Sequence, residues 1–160
     1  MSLNLEEHYD KIYRYCYFKL HNREQAEDIT QETFLRYLKH YNCLTTSSAL
    51  KCLYTIARHL CIDAYRKDHP TQSIDYLDHS ESMEDDLITK LSIKGALANL
   101  SPMEQELLLL RYVNELPVST LCKLYDLSRF TIYRKLLSAS NRFREELRKE
   151  EVHASMEKCT

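Results

Sequence analysis

The sequence predicts an all-α protein made of two small helical domains joined by a flexible acidic linker. Three observations carry that expectation. Apolar residues recur at spacings of three and four along most of the chain, the period of a helix with one buried face. No clean alternating apolar run of strand length recurs. One glycine and three prolines in 160 residues leave few of the turn signals that a sheet needs. Hydrophobic residues, at 44%, suffice for helical cores, and the length suits one domain or two small ones.

A first helix over about 5–20 offers Ile12, Tyr13, Cys16, Tyr17 and Leu20 as its apolar stripe. Asn22 and Gln25 then form a capping box, Asn22 as N-cap and Gln25 three residues on. The helix they start has an acidic first turn, Glu24, Glu27 and Asp28, which suits its dipole. Its buried face is expected to be Ala26, Ile29, Thr33, Phe34, Tyr37, Leu38 and Tyr41. A third helix over about 48–67, capped within 45–48, offers Leu50, Leu53, Tyr54, Ala57, Leu60, Cys61 and Ala64. Three such helices can close a small core, so 1–67 reads as the first domain.

Composition then shifts. Residues 71–89 hold Asp75, Asp78, Glu81, Glu84, Asp85 and Asp86 with no Lys or Arg, and Pro70 precedes them. The expectation is a solvated polar linker over 68–83. Helix returns near 84 with Leu87, Leu91, Ile93, Ala96, Leu97 and Leu100 as apolar positions. Ser101 as N-cap, Pro102 at the first helical position and Glu104 at the third start the next helix, which runs to about 113 and packs Met103, Leu107, Leu108 and Leu110. Pro117 opens a short helix through Leu121, Cys122 and Tyr125. Asp126 and Leu127 make the turn, and Ser128 caps the last helix. Two helices joined by a turn of about three residues have helix-turn-helix spacing. The second domain is expected over 84–150, with a tail over 151–160.

The charge is uneven. The whole chain carries −2 and has a pI near 6.4. Residues 121–149 hold eight basic residues against three acidic ones, a net of +5. DNA binding draws most of its affinity from phosphate neutralisation, so this segment is the candidate DNA reader.

Other classes are set aside. Six cysteines, Cys16, Cys43, Cys52, Cys61, Cys122 and Cys159, lack any close pair, so neither a zinc site nor a disulfide framework is expected. They read as small buried hydrophobes in a reducing compartment. No metal or cofactor is implied. No run of about 18 apolar residues exists, and the start lacks a signal-peptide core, so a cytoplasmic protein with no membrane insertion is expected. No triad or phosphate-loop pattern points to an enzyme.

Three segments in order carry a resemblance. "AEDITQETFLRYLKHY" at 26–41 resembles the core-polymerase-binding helix of bacterial sigma factors. "CLYTIARHLCIDAYRK" at 52–67 resembles their promoter-melting helix, usually WLxxIAxNxxxDxxR. Residues 96–147 resemble their C-terminal helix-turn-helix domain. The two-domain length matches the extracytoplasmic-function (group IV) class. The chain departs from the pattern at Cys52 for Trp, His59 for Asn, Thr120-Leu121-Cys122 for EIA, and Asp126 for the turn Gly. Asp tolerates the left-handed conformation better than most residues.

The resemblance implies roles for residues that chemistry also singles out. Asp28, Gln31 and Glu32 share one exposed side of a helix and suit charge-assisted bonds to Arg on a partner. The implied partner is the clamp coiled coil of the core RNA polymerase largest subunit. Arg58, His59, Tyr65, Arg66 and Lys67 mix cations and aromatics, as single-strand binding requires. The resemblance sets them against the melted −10 element of promoter DNA. Asp63 is expected to order Arg66 or the helix, and Tyr54 to join the core. On the last helix Ser128, Arg129, Phe130, Tyr133, Arg134, Lys135, Leu137 and Ser138 lie where the major groove is entered, against the −35 element. Arg134 suits guanine through a bidentate fork, whereas Lys135 and Arg142 suit phosphates. Ile132 and Leu136 are expected in the core. The resemblance also implies contact with the flap tip of the polymerase second-largest subunit, and an anti-sigma factor as partner. Two other readings stay open: a freestanding helix-turn-helix regulator, and a sigma-like interaction module without promoter reading. Whether the two halves pack together is not legible.

Overall fold

Helix α1 (Leu5–Leu20) begins where the Asn4 side chain accepts a hydrogen bond from the Glu7 N–H at 3.5 Å. It ends at His21, which adopts the left-handed conformation, φ 53°, and donates its N–H to the Tyr17 carbonyl at 2.8 Å. The computed structural model describes residues 4–40, 46–68 and 87–158. Tyr41, Cys43, Cys159 and the expected linker beyond Asp68 lie outside the described residues.

Helix α1 buries Ile12 and Cys16 as the stripe predicts, and also Tyr15 and Lys19. The second stripe serves a neighbour far along the chain, described below. Helix α2 (Arg23–His40) has its expected cap, Asn22 Oδ1 accepting from the Gln25 N–H at 3.0 Å. The Gln25 amide does not complete the box. It donates instead to Asp68 at the end of α3 (Thr46–Asp68). Thr30 and Thr33 are buried in α2 because each hydroxyl donates back to the carbonyl four residues earlier, at 2.6 and 2.7 Å. Leu38 corrects the expected stripe, since it is 45% exposed. The buried positions centre near Tyr37, and Leu38 stands about 100° round from it. In α3, Leu50, Leu53, Tyr54, Ala57 and Cys61 are buried as expected.

The C-terminal half holds α4 (Leu87–Ala98), α5 (Pro102–Leu108), a π-helical turn (Leu109–Val113), α6 (Val118–Tyr125) and α7 (Arg129–Lys158). The Ser101 hydroxyl accepts from the Glu104 N–H at 3.2 Å and donates to the Glu104 carboxylate at 3.0 Å, so the predicted start is real. The helix reaches Val113 as expected, but its last turn widens. Asn114 N–H bonds Leu109 O, five residues back, at 2.9 Å. Ile93 is 40% exposed, whereas Ala96 and Leu100 are buried. Helix α7 continues through 151–158.

No strand occurs among the described residues. The two halves pack against each other, α3 on α6 and α1 on α5. One buried cluster runs from Ile12, Phe34, Leu53 and Tyr54 to Leu107, Leu121 and Ile132.

Candidate nucleic-acid interface

The basic segment forms a helix-turn-helix. Helix α6 ends at Asp126, φ 54° and ψ 47°, the left-handed turn residue expected where glycine is common. The Ser128 hydroxyl caps α7 by accepting from the Thr131 N–H at 3.2 Å, and it also bonds the Thr131 hydroxyl at 2.8 Å. Ile132, Leu136 and Ala139 face the core. That burial turns the opposite side of α7 outward. Phe130 is 74% exposed, Leu137 63% exposed, and Tyr133, Arg129, Arg134 and Ser138 are exposed with them. Lys135 is half-buried. The Arg134 guanidinium lies 5.8 Å from the Phe130 ring centroid, a cation–π contact that aims the fork along the outer face. An apolar and aromatic patch rimmed by cations marks an interaction surface. Arg142, expected at phosphates, pairs here with Glu104 at 3.0 Å.

On α2, Asp28 and Gln31 are exposed and Glu32 is half-buried, on the side away from the core. Glu32 accepts from Arg36 Nε at 2.7 Å. Leu35, 62% exposed, continues this side, and a shallow groove is lined by Glu32, Leu35, Arg36, Leu38, Lys39 and His40. Sequence reasoning found the polar residues but missed the two exposed leucines. Their signal was that Leu35 lies off the buried stripe.

The basic and aromatic residues of α3 divide between two faces. His59 and Arg66 are exposed and seven positions apart, hence about 20° apart around the helix. Lys67 is exposed beside them. Arg58 and Tyr65, also seven apart, are only partly exposed. Arg58 turns toward the C-terminal half. Its guanidinium sits 5.2 Å from the Tyr125 ring centroid, and its Nε is 3.9 Å from the Glu106 carboxylate.

Glu106 is the residue that sequence reasoning missed most clearly. Its side chain is 3% exposed. It accepts from Tyr15 Oη at 3.1 Å and from Lys19 Nζ. Burial pushes its carboxyl pKa up, but the charge and hydrogen bond of Lys19, with Arg58 and Tyr125, more than offset this and leave it below the ordinary value. The Tyr15 hydroxyl is raised well above its usual range, first by burial and then by Glu106. Asn114, fully buried, is a second polar contact. It donates to Lys11 O and Tyr54 Oη, each at 3.0 Å, and accepts from Arg14 at 3.3 Å. The available signal was an acid on the apolar face set by Met103, Leu107 and Leu110.

Cys16 and Cys61 are buried free thiols, and Cys52 and Cys122 are half-buried ones. Among the described residues, no group of His, Cys, Asp and Glu is placed to hold a metal ion, and no helix is long and apolar enough to cross a membrane.

Residues 5–71 match the family model for sigma-70 region 2. Over 125 residues the chain is 32% identical to the ECF RNA polymerase sigma factor BldN of Streptomyces coelicolor, covering 71% of this chain and 47% of BldN. Over 67 residues it is 40% identical to the ECF RNA polymerase sigma factor SigW of Bacillus subtilis, covering 41% of this chain and 36% of SigW. The chain thus spans less than half the length of either relative. Its fold is similar to that of the sigma factor RpoE from Bartonella quintana, solved with the anti-sigma factor NepR. The TM-score is 0.63 at 19% identity, over 88% of this chain and 91% of that one. Residues 5–71 thus form a sigma-70 region 2, and over 71% of its length the chain is similar to an extracytoplasmic-function sigma factor.

Proposed function

We propose that the chain binds core RNA polymerase and directs it to promoters, reading a −35 element as duplex and a −10 element as melted strand. The observation that carries this reading is the pairing, in one chain, of a helix-turn-helix with an outward aromatic and basic face and an α2 side of acids, amide and exposed leucines. Ser128, Arg129, Phe130, Tyr133, Arg134, Lys135, Leu137 and Ser138 would meet the duplex. His59, Arg66 and Lys67, with Arg58 and Tyr65, would hold the single strand. Asp28, Gln31 and Glu32 would bind the largest-subunit clamp, with Leu35 beside them. Residues 1–67 and 84–150 would act as the two binding units, joined by 68–83.

The exposed leucines beside Asp28 and Gln31 favour a polymerase partner over a freestanding regulator, because a DNA-only protein has no use for that side. The polymerase supplies the chemistry, so this chain catalyses nothing, and it works in the cytoplasm. An anti-sigma factor, as in the RpoE complex, is the regulatory partner proposed. The test is co-elution with purified core polymerase, followed by retention of promoter fragments selected from host DNA. Absence of both overturns the reading.

A further inference from the structure

The contact between the two halves sets buried polar groups within a shared apolar core. Glu106 on α5 finds its cations, Lys19 and Arg58, on α1 and α3. Asn114 bridges to Lys11, Arg14 and Tyr54 on the same two helices. Its hydrogen bonds and ions can be exchanged for water when the halves part, while its apolar residues favour the closed state. The contact also engages a cation that single-stranded DNA needs. Arg58 lies over Tyr125 and beside an anionic oxygen, the arrangement that a phosphate and a stacked base would offer it.

We propose that Glu106 is an internal lock in which its carboxylate stands in for a DNA phosphate: it holds the halves closed through Lys19 and Arg58 and withholds Arg58 from single-stranded DNA. The proposal deepens the functional reading above and rests on it for the role of Arg58. In the closed chain the outer faces of α2 and α7 stay exposed. Polymerase and duplex can therefore engage before the lock opens, and the melted strand is gripped only afterwards. Opening couples to strand capture because the same Arg58 serves both states.

The test uses the full chain without polymerase. Small-angle X-ray scattering reads opening as an increased radius of gyration. Fluorescence anisotropy reads binding of a random-sequence single-stranded DNA pool. A closed state favoured about tenfold lowers apparent affinity about tenfold. Glu106→Gln and, independently, Asn114→Ala should each enlarge the radius and raise affinity by about that factor. Adding Arg58→Ala to Asn114→Ala should remove the gain while the chain stays open. Circular dichroism verifies helix content. Loss of helix in both lock variants would show a structural core rather than a lock and overturn the proposal. So would variants that stay compact, or that open with unchanged affinity. Co-elution of the unmodified chain with core polymerase is read separately, so failure of the functional reading and failure of the lock are distinguishable.

Discussion

Arg134 and Lys135 are adjacent in sequence yet differ in setting. Arg134 is exposed on the outer face beside Phe130, whereas Lys135 is half-buried at its edge. A guanidinium fork reads a guanine edge, and an ammonium meets phosphates as a point charge. Arg134→Ala should therefore relax preference at one or two base pairs, costing ~1–3 kcal/mol there. Lys135→Ala should weaken all duplexes alike and reduce the salt slope by about one unit. Binding to a promoter library at two salt concentrations separates them. An intact preference after Arg134→Ala would move base reading to Arg129. Glu106 carries a prediction of its own. Its closed-state pKa lies below the ordinary 4.5, because Lys19 and Arg58 favour the charged form over the burial that opposes it. In the open state it is hydrated and near ordinary. The more acidic closed form is thus favoured above the ordinary value, and that advantage is lost as pH falls through the closed-state pKa. Scattering should show a compact chain at neutral pH that expands only in acid, below the ordinary carboxylate range. Glu106→Gln should flatten that profile, with Lys19, Arg58, Tyr15 and Tyr125 as the other groups facing the site.

Helix α2 shows how far one element can be decided by periodicity. Its cap at Asn22 and its buried Ala26, Phe34 and Tyr37 were legible, because both depend on residues within a few positions. Leu38 was misassigned because a leucine beside the stripe looks the same whether it faces core or solvent. Gln25 was only half right, because its amide found Asp68 on a helix distant in sequence. The helix-turn-helix was legible in full, since Asp126 and Ser128 are local signals. The π-helical turn at Leu109–Val113 was not, because nothing local forces Asn114 inward. Its partners on α1 and α3 do that. The α2 side yields an element-scale prediction. Reversing charge at Asp28 and Glu32 together should abolish binding to core polymerase. The helix should persist, because exposed substitutions shift stability by only about ±0.5 kcal/mol, and the surface pair with Arg36 is worth little. Gel filtration of the folded double variant with core enzyme decides it, and normal co-elution would remove α2 as the contact.

At the scale of the whole molecule, the all-α class followed from helical spacing, the lack of alternating runs and the scarcity of Gly and Pro, whereas the packing of the halves did not. That packing runs through Glu106, Lys19 and Asn114, polar residues whose partners lie far away in sequence. Limited proteolysis addresses the connection. Cleavage is expected first within 68–83, where the composition is polar and acidic, leaving two helical fragments. Cleavage inside α3 or α5 before that segment would contradict these boundaries.

The central claim is that this chain gives core polymerase its promoters. Transcription on fragmented host DNA, with RNA 5′ ends sequenced, tests it most directly. Core polymerase with the chain should start at discrete sites sharing paired −35 and −10 motifs, and those starts should vanish with the Asp28 and Glu32 reversal. The same scattered starts with and without the chain would contradict the account.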